Sequence, residues 1–128
     1  MSDFEKWVAA GPWPIDGGLS GELEKLGHDL ADDLWSARLL RDDPDAIATV
    51  QRNYVESGAR VLITASYQAS RHGFKNVGMT AIEADDLMRK SIHIAQDVAR
   101  NSNSDVWVAA SVGPYGAILG GGQEYQGN

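Results

Sequence analysis

The sequence has 128 residues, of which 43% are hydrophobic and 23% charged, as is typical of one soluble domain with a modest core. Its 11 basic and 18 acidic residues give a net charge of −7, which disfavours nucleic acid as a partner. Without a membrane-length apolar run or a signal-peptide pattern, we expect a cytoplasmic protein with no membrane partner. The chain has no cysteine, which excludes disulfides and thiolate ligands within it.

The first half of the chain combines short helices with one short strand. Ser2 and Glu5 form a capping-box pattern at the start of a helix that Gly11 should end. Residues 13–16 are predicted to form a strand, although proline at position 14 cannot donate a ladder hydrogen bond. Helices are then predicted over residues 19–27, 34–40 and 43–58, the last opened by an Asp-Pro start signal.

The second half contains the clearest strand pattern. Residues 60–65 are predicted to form a strand whose core is continuous and branched, typical of a strand buried on both faces. Residues 70–77 are predicted to be a loop or a short helix. Thr80 opens a second capping box, and a helix with one apolar stripe follows as far as Val98. After a polar break, residues 106–110 are predicted to form a third strand.

This alternation predicts an α/β fold with parallel strands, whose carboxyl ends meet at one edge. Ligands of such folds bind at that edge. The polar residues that fall at the three strand ends are Asp16, Thr64 with Ser66 and Gln68, and Ser111. We therefore expect them to line one binding site.

Several strings carry a family resemblance: Asp16-Gly17-Gly18-Leu19, LADDLWSARLL (residues 30–40), ITASYQAS (63–70), SVGPYGA (111–117) and GQEYQG near the end. In this order and spacing, the chain resembles the homocysteine S-methyltransferase family, in the branch that uses S-methylmethionine or S-adenosylmethionine. The resemblance implies a TIM barrel, of which residues 1–128 would be the N-terminal portion with about three of eight strands. Such an incomplete barrel would leave a parallel sheet edge open.

The implied reaction moves a methyl group from the sulfonium donor to homocysteine and gives methionine. In the family, three cysteines bind a Zn²⁺ that activates the thiol, and this chain lacks them, so the resemblance does not imply activity of this chain alone. His28, His72 and His93 lack the spacing of metal ligands.

The resemblance also assigns roles to particular residues. Asp16 would receive the ammonium group of homocysteine, and Thr64 would lie near its polar end. Ser66 and Gln68 would line the same pocket, and Ser111 would shape the third loop. Each has an alternative: Asp16 as the cap of the next turn, Thr64 as an ordinary strand residue and Ser111 as part of a plain turn.

Two other functions stay open at the level of the sequence. The chain could be a non-catalytic remnant that associates through its open sheet edge with a second copy or another chain. It could also be an unrelated α/β binding module with no affinity for homocysteine. Two departures from the family pattern, Trp13-Pro14 and Gly21, would fit relaxed constraint on a chain that is no longer catalytic.

Overall fold

A computed structural model describes residues 1–31, 35–67 and 70–113. Within these ranges the chain alternates helices with two short strands. In chain order the elements are α1 (Asp3–Ala9), α2 (Leu19–Lys25), α3 (Trp35–Asp42), α4 (Pro44–Glu56), β1 (Val61–Ile63), α5 (Arg71–Asn76), α6 (Ala81–Asn101) and β2 (Trp107–Ala109).

The predicted helix starts are confirmed in atomic detail. The hydroxyl of Thr80 accepts from the backbone N–H of Glu83 at 3.2 Å, and the Glu83 carboxylate accepts from the N–H of Thr80 at 2.7 Å. The Ser2 and Glu5 pair forms the same reciprocal box at α1. Such caps satisfy the N–H groups that a first helical turn leaves unpaired, which is why a few local residues fix each start.

The sheet is parallel, as the sequence predicts. β1 and β2 pair in the register Val61↔Trp107, Leu62↔Val108 and Ile63↔Ala109. The predicted strand at residues 13–16 is reduced to a single parallel bridge between Ile15 and Val61. It cannot lengthen backwards through Pro14, which has no N–H to donate to a ladder.

The core lies on one face of this sheet. Leu62 is fully buried there, in one cluster with Val55 of α4 and with Ala95 and Val98 of α6. Ile63 points to the opposite face and is 38% exposed, so the prediction that this strand is buried on both faces is wrong for the described residues. Successive strand side chains alternate between faces, and α4 and α6 pack on the Leu62 side, whereas α1 contacts the other face through Trp107 of β2.

A second cluster joins α2, α3, α4, α5 and α6 beyond the strand ends. Its largest fully buried side chains include Leu23, Leu40, Ile47 and Phe74. This packing fixes α4 next to the carboxyl end of β1, where the polar strand-end residues lie. No helix in the described ranges has both the length and the apolarity needed to cross a bilayer.

Candidate functional site

A cavity of about 450 Å³ opens at the carboxyl ends of the parallel segments. Asp16, Thr64 and Ser111 all line it, one from each of the three segments that the sequence places in parallel. Trp35, Gln51 and Tyr54 complete its wall from α3 and α4. Parallel pairing thus brings to one cavity three polar residues that are distant in sequence.

Asp16 is held by the strand beside it. Its Oδ2 accepts a hydrogen bond from the backbone N–H of Ile63 at 2.9 Å. Its Oδ1 is buried and has no hydrogen-bond partner among the described residues. Partial burial raises the pKa of Asp16, and the Ile63 hydrogen bond opposes part of that rise. The carboxylate therefore binds back to β1 and keeps one oxygen for another donor.

The turn after Asp16 is packed against Tyr54. The Tyr54 hydroxyl donates to the carbonyl oxygen of Gly18 at 2.8 Å. A Cβ placed on Gly17 would lie 2.9 Å from that same hydroxyl oxygen. Glycine at position 17 is therefore needed for this close approach, which keeps the turn at the edge of the cavity.

Thr64, Ser66 and Ser111 form a closed set of hydrogen bonds, which we name the hydroxyl loop. The Ser66 hydroxyl donates to the carbonyl oxygen of Ser111 at 2.9 Å, and the N–H of Ser111 donates to Thr64 Oγ1 at 2.8 Å. Thr64 Oγ1 and Ser66 Oγ are 2.7 Å apart. Because Ser66 has already given its only hydroxyl hydrogen to Ser111, the hydrogen between them comes from Thr64.

This assignment leaves Thr64 without a hydrogen for a ligand in the structure as it stands. Thr64 is 3% exposed, and its hydroxyl connects the ends of β1 and β2. The segments after β1 and β2 also approach each other closely at Gly113, where an added Cβ would overlap the carbonyl oxygen of Tyr67. Ser66 contributes to the hydroxyl loop, while the predicted binding residue Gln68 lies outside the described residues.

Gln51 is a polar residue of the site that the sequence reasoning missed. It is 2% exposed, and its Nε2 donates to the carbonyl oxygen of Ile63 at 3.3 Å. Its Oε1 is buried with no partner in the part of the chain that the structure describes. The available signal was its spacing: Gln51 follows Ile47 by four positions and so falls on the buried stripe of α4.

The described residues of this chain do not fit the Zn²⁺ that the resemblance implies. The sequence has no cysteine, and across the described ranges no three His, Cys, Asp or Glu side chains group as metal ligands. His28 lies 3.3 Å from a carboxylate oxygen of Asp43, as an ordinary side-chain pair. No chemical step through a metal is therefore assigned to these residues.

The fold and the cavity together define a set of parallel β/α units with a polar pocket at the strand ends. The homocysteine S-methyltransferase family profile matches residues 15–128. The chain belongs to the homocysteine S-methyltransferase family.

Individual relatives agree with this assignment. The chain is 43% identical over 131 residues to homocysteine S-methyltransferase 4 of Zea mays, covering 94% of this chain and 38% of that protein. It is 44% identical over 128 residues to selenocysteine Se-methyltransferase of Brassica oleracea var. italica, covering 88% of this chain and 37% of that protein.

A solved structure gives the same result. The homocysteine methyltransferase MmuM of Escherichia coli, in its metallated form, superposes with a TM-score of 0.90 at 37% identity. The match covers 99% of this chain and 46% of that one. The chain thus spans less than half the length of these relatives, and the matches support the methyltransferase family without favouring the non-catalytic remnant.

Proposed function

We propose that residues 1–128 are the N-terminal portion of a homocysteine S-methyltransferase (β/α)₈ barrel and hold the amino-acid end of homocysteine. Three parallel segments in register, with α4 and α6 on one face, support the barrel assignment. Such a portion would contribute the first β/α units, and its site would lie at the carboxyl-terminal face of the strands.

The observation that carries the proposal is the state of Asp16. One carboxylate oxygen is fixed by Ile63, and the other is buried in the cavity wall without a donor among the described residues. A buried carboxylate is stabilised by a cation with N–H groups, and the α-ammonium of an amino acid is such a cation. Asp16 would thus anchor the substrate, with its sulfur directed away from this corner.

In the proposed reaction, the homocysteine sulfur forms a bond to the methyl carbon of S-methylmethionine or S-adenosylmethionine. The bond between that carbon and the donor sulfonium sulfur breaks, and its electron pair stays on the donor sulfur. The thiol proton of homocysteine is released, and methionine is formed. The described residues would orient the acceptor, because fixing the ammonium group restricts the positions that the sulfur can take.

Calorimetric titration with L-homocysteine tests the proposal. Asp16→Asn keeps the shape of the side chain and removes its charge, so we expect affinity to fall at least about twentyfold, as when one member of a buried charge pair is removed. Asp42→Asn is the matched control, because Asp42 pairs with Arg41 on the surface, and its affinity should equal that of the wild type. Equal affinities of all three chains would contradict the proposal.

L-Selenocysteine is the second ligand for this titration, since one relative is named a selenocysteine methyltransferase. We expect homocysteine to bind more tightly, in line with the family match. If selenocysteine binds more tightly, Asp16 keeps its proposed role and selenocysteine replaces homocysteine as the proposed methyl acceptor.

A further inference from the structure

The side chains of Asp16 and Gln51 take the place of a strand's backbone beside Ile63. In a parallel ladder, a residue that faces the neighbouring strand bonds to it through both its N–H and its C=O. Val61 follows this pattern, because its carbonyl oxygen accepts from the N–H of Asp16 at 2.9 Å. At Ile63, two positions on, the N–H bonds to the Asp16 carboxylate and the carbonyl oxygen to the Gln51 amide.

The use of two side chains in place of a strand has a structural consequence for the cavity. The first segment leaves the sheet at Gly17, so no backbone continues it beside Ile63. The two side chains, which we name the carboxylate–amide pair, satisfy the exposed backbone groups of Ile63 in its place. They can therefore lie at the cavity wall without leaving the sheet edge unpaired.

The pair also has hydrogen-bonding capacity left over. Gln51 must direct its NH₂ group toward the Ile63 carbonyl, since its own oxygen would be repelled there, and this fixes the orientation of the amide. Gln51 Oε1 and Asp16 Oδ1 are then both buried acceptors without a donor from the described residues. Buried polar atoms without partners are uncommon, and each costs free energy until a donor arrives.

One ligand group would suit both atoms, which belong to side chains that both bond to Ile63 at the cavity wall. A primary ammonium carries three N–H bonds and a positive charge, so it can donate to a neutral amide oxygen and to a carboxylate at the same time. A quaternary ammonium has no N–H and would leave both acceptors unpaired. The pair should therefore select a primary ammonium over a quaternary one.

Building on the function proposed above, we propose that Gln51 is a specificity-determining residue whose Oε1 accepts a hydrogen bond from the substrate's α-ammonium while Asp16 Oδ1 accepts another. Gln51 would thus act directly on the amine, beyond its contact with Ile63. If Gln51 has this role, the affinity of a ligand without the amine should not depend on Gln51.

The test compares two ligands on two variants. L-Homocysteine and 4-mercaptobutanoate, which lacks the amine, are titrated into wild type and Gln51→Met, a side chain of similar length without polar atoms. We expect Gln51→Met to weaken homocysteine about tenfold and to change 4-mercaptobutanoate less than twofold. Ser91→Ala is the control, because Ser91 is fully buried on α6 and bonds to Met88 away from the cavity, and both affinities should stay unchanged.

A measurement on the wild type covers the case in which Gln51→Met does not fold. The side-chain amide resonances of Gln51 in a nitrogen–proton correlation spectrum should shift with homocysteine and stay in place with 4-mercaptobutanoate. Equal shifts with both ligands would overturn the inference, as would equal weakening of both by Gln51→Met, and either result would leave homocysteine binding intact.

L-Norleucine, which has the amine and no sulfur, separates this inference from the proposed function. If it binds as tightly as homocysteine and depends equally on Gln51, the amine contact is supported and the homocysteine assignment fails. If no amino acid binds the wild type, both are overturned.

Discussion

The hydroxyl loop and the carboxylate–amide pair lie at the carboxyl ends of the same parallel segments, and both line or adjoin the same cavity. They differ in what remains after internal hydrogen bonding. In the hydroxyl loop the hydroxyl hydrogens of Thr64 and Ser66 are both used within the loop. In the carboxylate–amide pair, two buried acceptors remain without donors among the described residues.

This difference separates two uses of polar residues at strand ends. A closed set of hydrogen bonds connects two strand ends and contributes stability, because breaking it exposes unpaired buried groups. A set with unfilled acceptors is less stable on its own and gains when a donor binds. Thr64→Val in the hydroxyl loop should therefore lower stability and leave homocysteine affinity nearly unchanged. Asp16→Asn in the carboxylate–amide pair should weaken homocysteine binding without lowering stability.

The largest effect on stability is expected at Gly113. A Cβ there would overlap the Tyr67 carbonyl oxygen, so the segments after β1 and β2 would have to separate. We expect Gly113→Ala to lower the free energy of unfolding by about 2–3 kcal/mol in denaturant titration, as overpacking does.

Gly21→Ala is the control for that experiment. Gly21 lies within α2 and a Cβ there meets no atom within 4 Å, so alanine should stabilise the chain by about 0.5–1 kcal/mol through helix propensity. A Gly113→Ala chain as stable as the wild type would show that the two segments do not pack closely.

Thr64→Val should have the next largest effect. It keeps the side-chain shape and removes the hydroxyl, leaving the Ser111 N–H without its acceptor, so we expect a loss of about 1–3 kcal/mol in thermal or chemical unfolding. Thr64→Ser keeps the hydroxyl and should recover most of the loss.

Measurements of homocysteine affinity decide whether Thr64 also contacts the substrate, as the family resemblance implies. Because its hydrogen is used within the hydroxyl loop, Thr64→Val should change homocysteine affinity less than about threefold, far below the effect of Asp16→Asn. A tenfold or greater loss in a folded Thr64→Val chain would show that the hydroxyl turns toward the ligand.

The sequence predicted best what depends on neighbouring residues. The helix starts at Ser2, Asp43 and Thr80 follow from cap chemistry within four positions, and all three are present in the structure. The meeting of Asp16, Thr64 and Ser111 followed from topology, since parallel strands share one carboxyl edge.

What the sequence could not predict depends on distant contacts. The bond between the Ser111 N–H and Thr64 spans 47 positions, and without it the hydroxyl of Thr64 looks available to a ligand. Gln51 was missed because a polar residue on a helix is usually exposed. Its amide finds a backbone partner because the first strand is too short to pair with the Ile63 carbonyl oxygen.

The smallest effect on stability in the two polar groups is expected at Asp16, where substitution should stabilise the chain. Burial raises the pKa of this carboxyl in the folded chain, so the folded state holds the proton more tightly than the unfolded state does. The ionised carboxylate therefore opposes folding as pH rises through its folded pKa, and the effect vanishes at low pH, where both states are protonated.

Asp16→Asn should consequently be slightly more stable than the wild type at neutral pH and equally stable in acid, while its homocysteine affinity falls. Melting temperatures recorded across the acid range test this. Asp85→Asn is the opposite control, because the Arg71 guanidinium lowers the pKa of Asp85, so that variant should lose stability at neutral pH and match the wild type in acid. If Asp16→Asn is instead less stable than the wild type at neutral pH, the carboxylate stabilises the fold, and the distinction between the two polar groups fails.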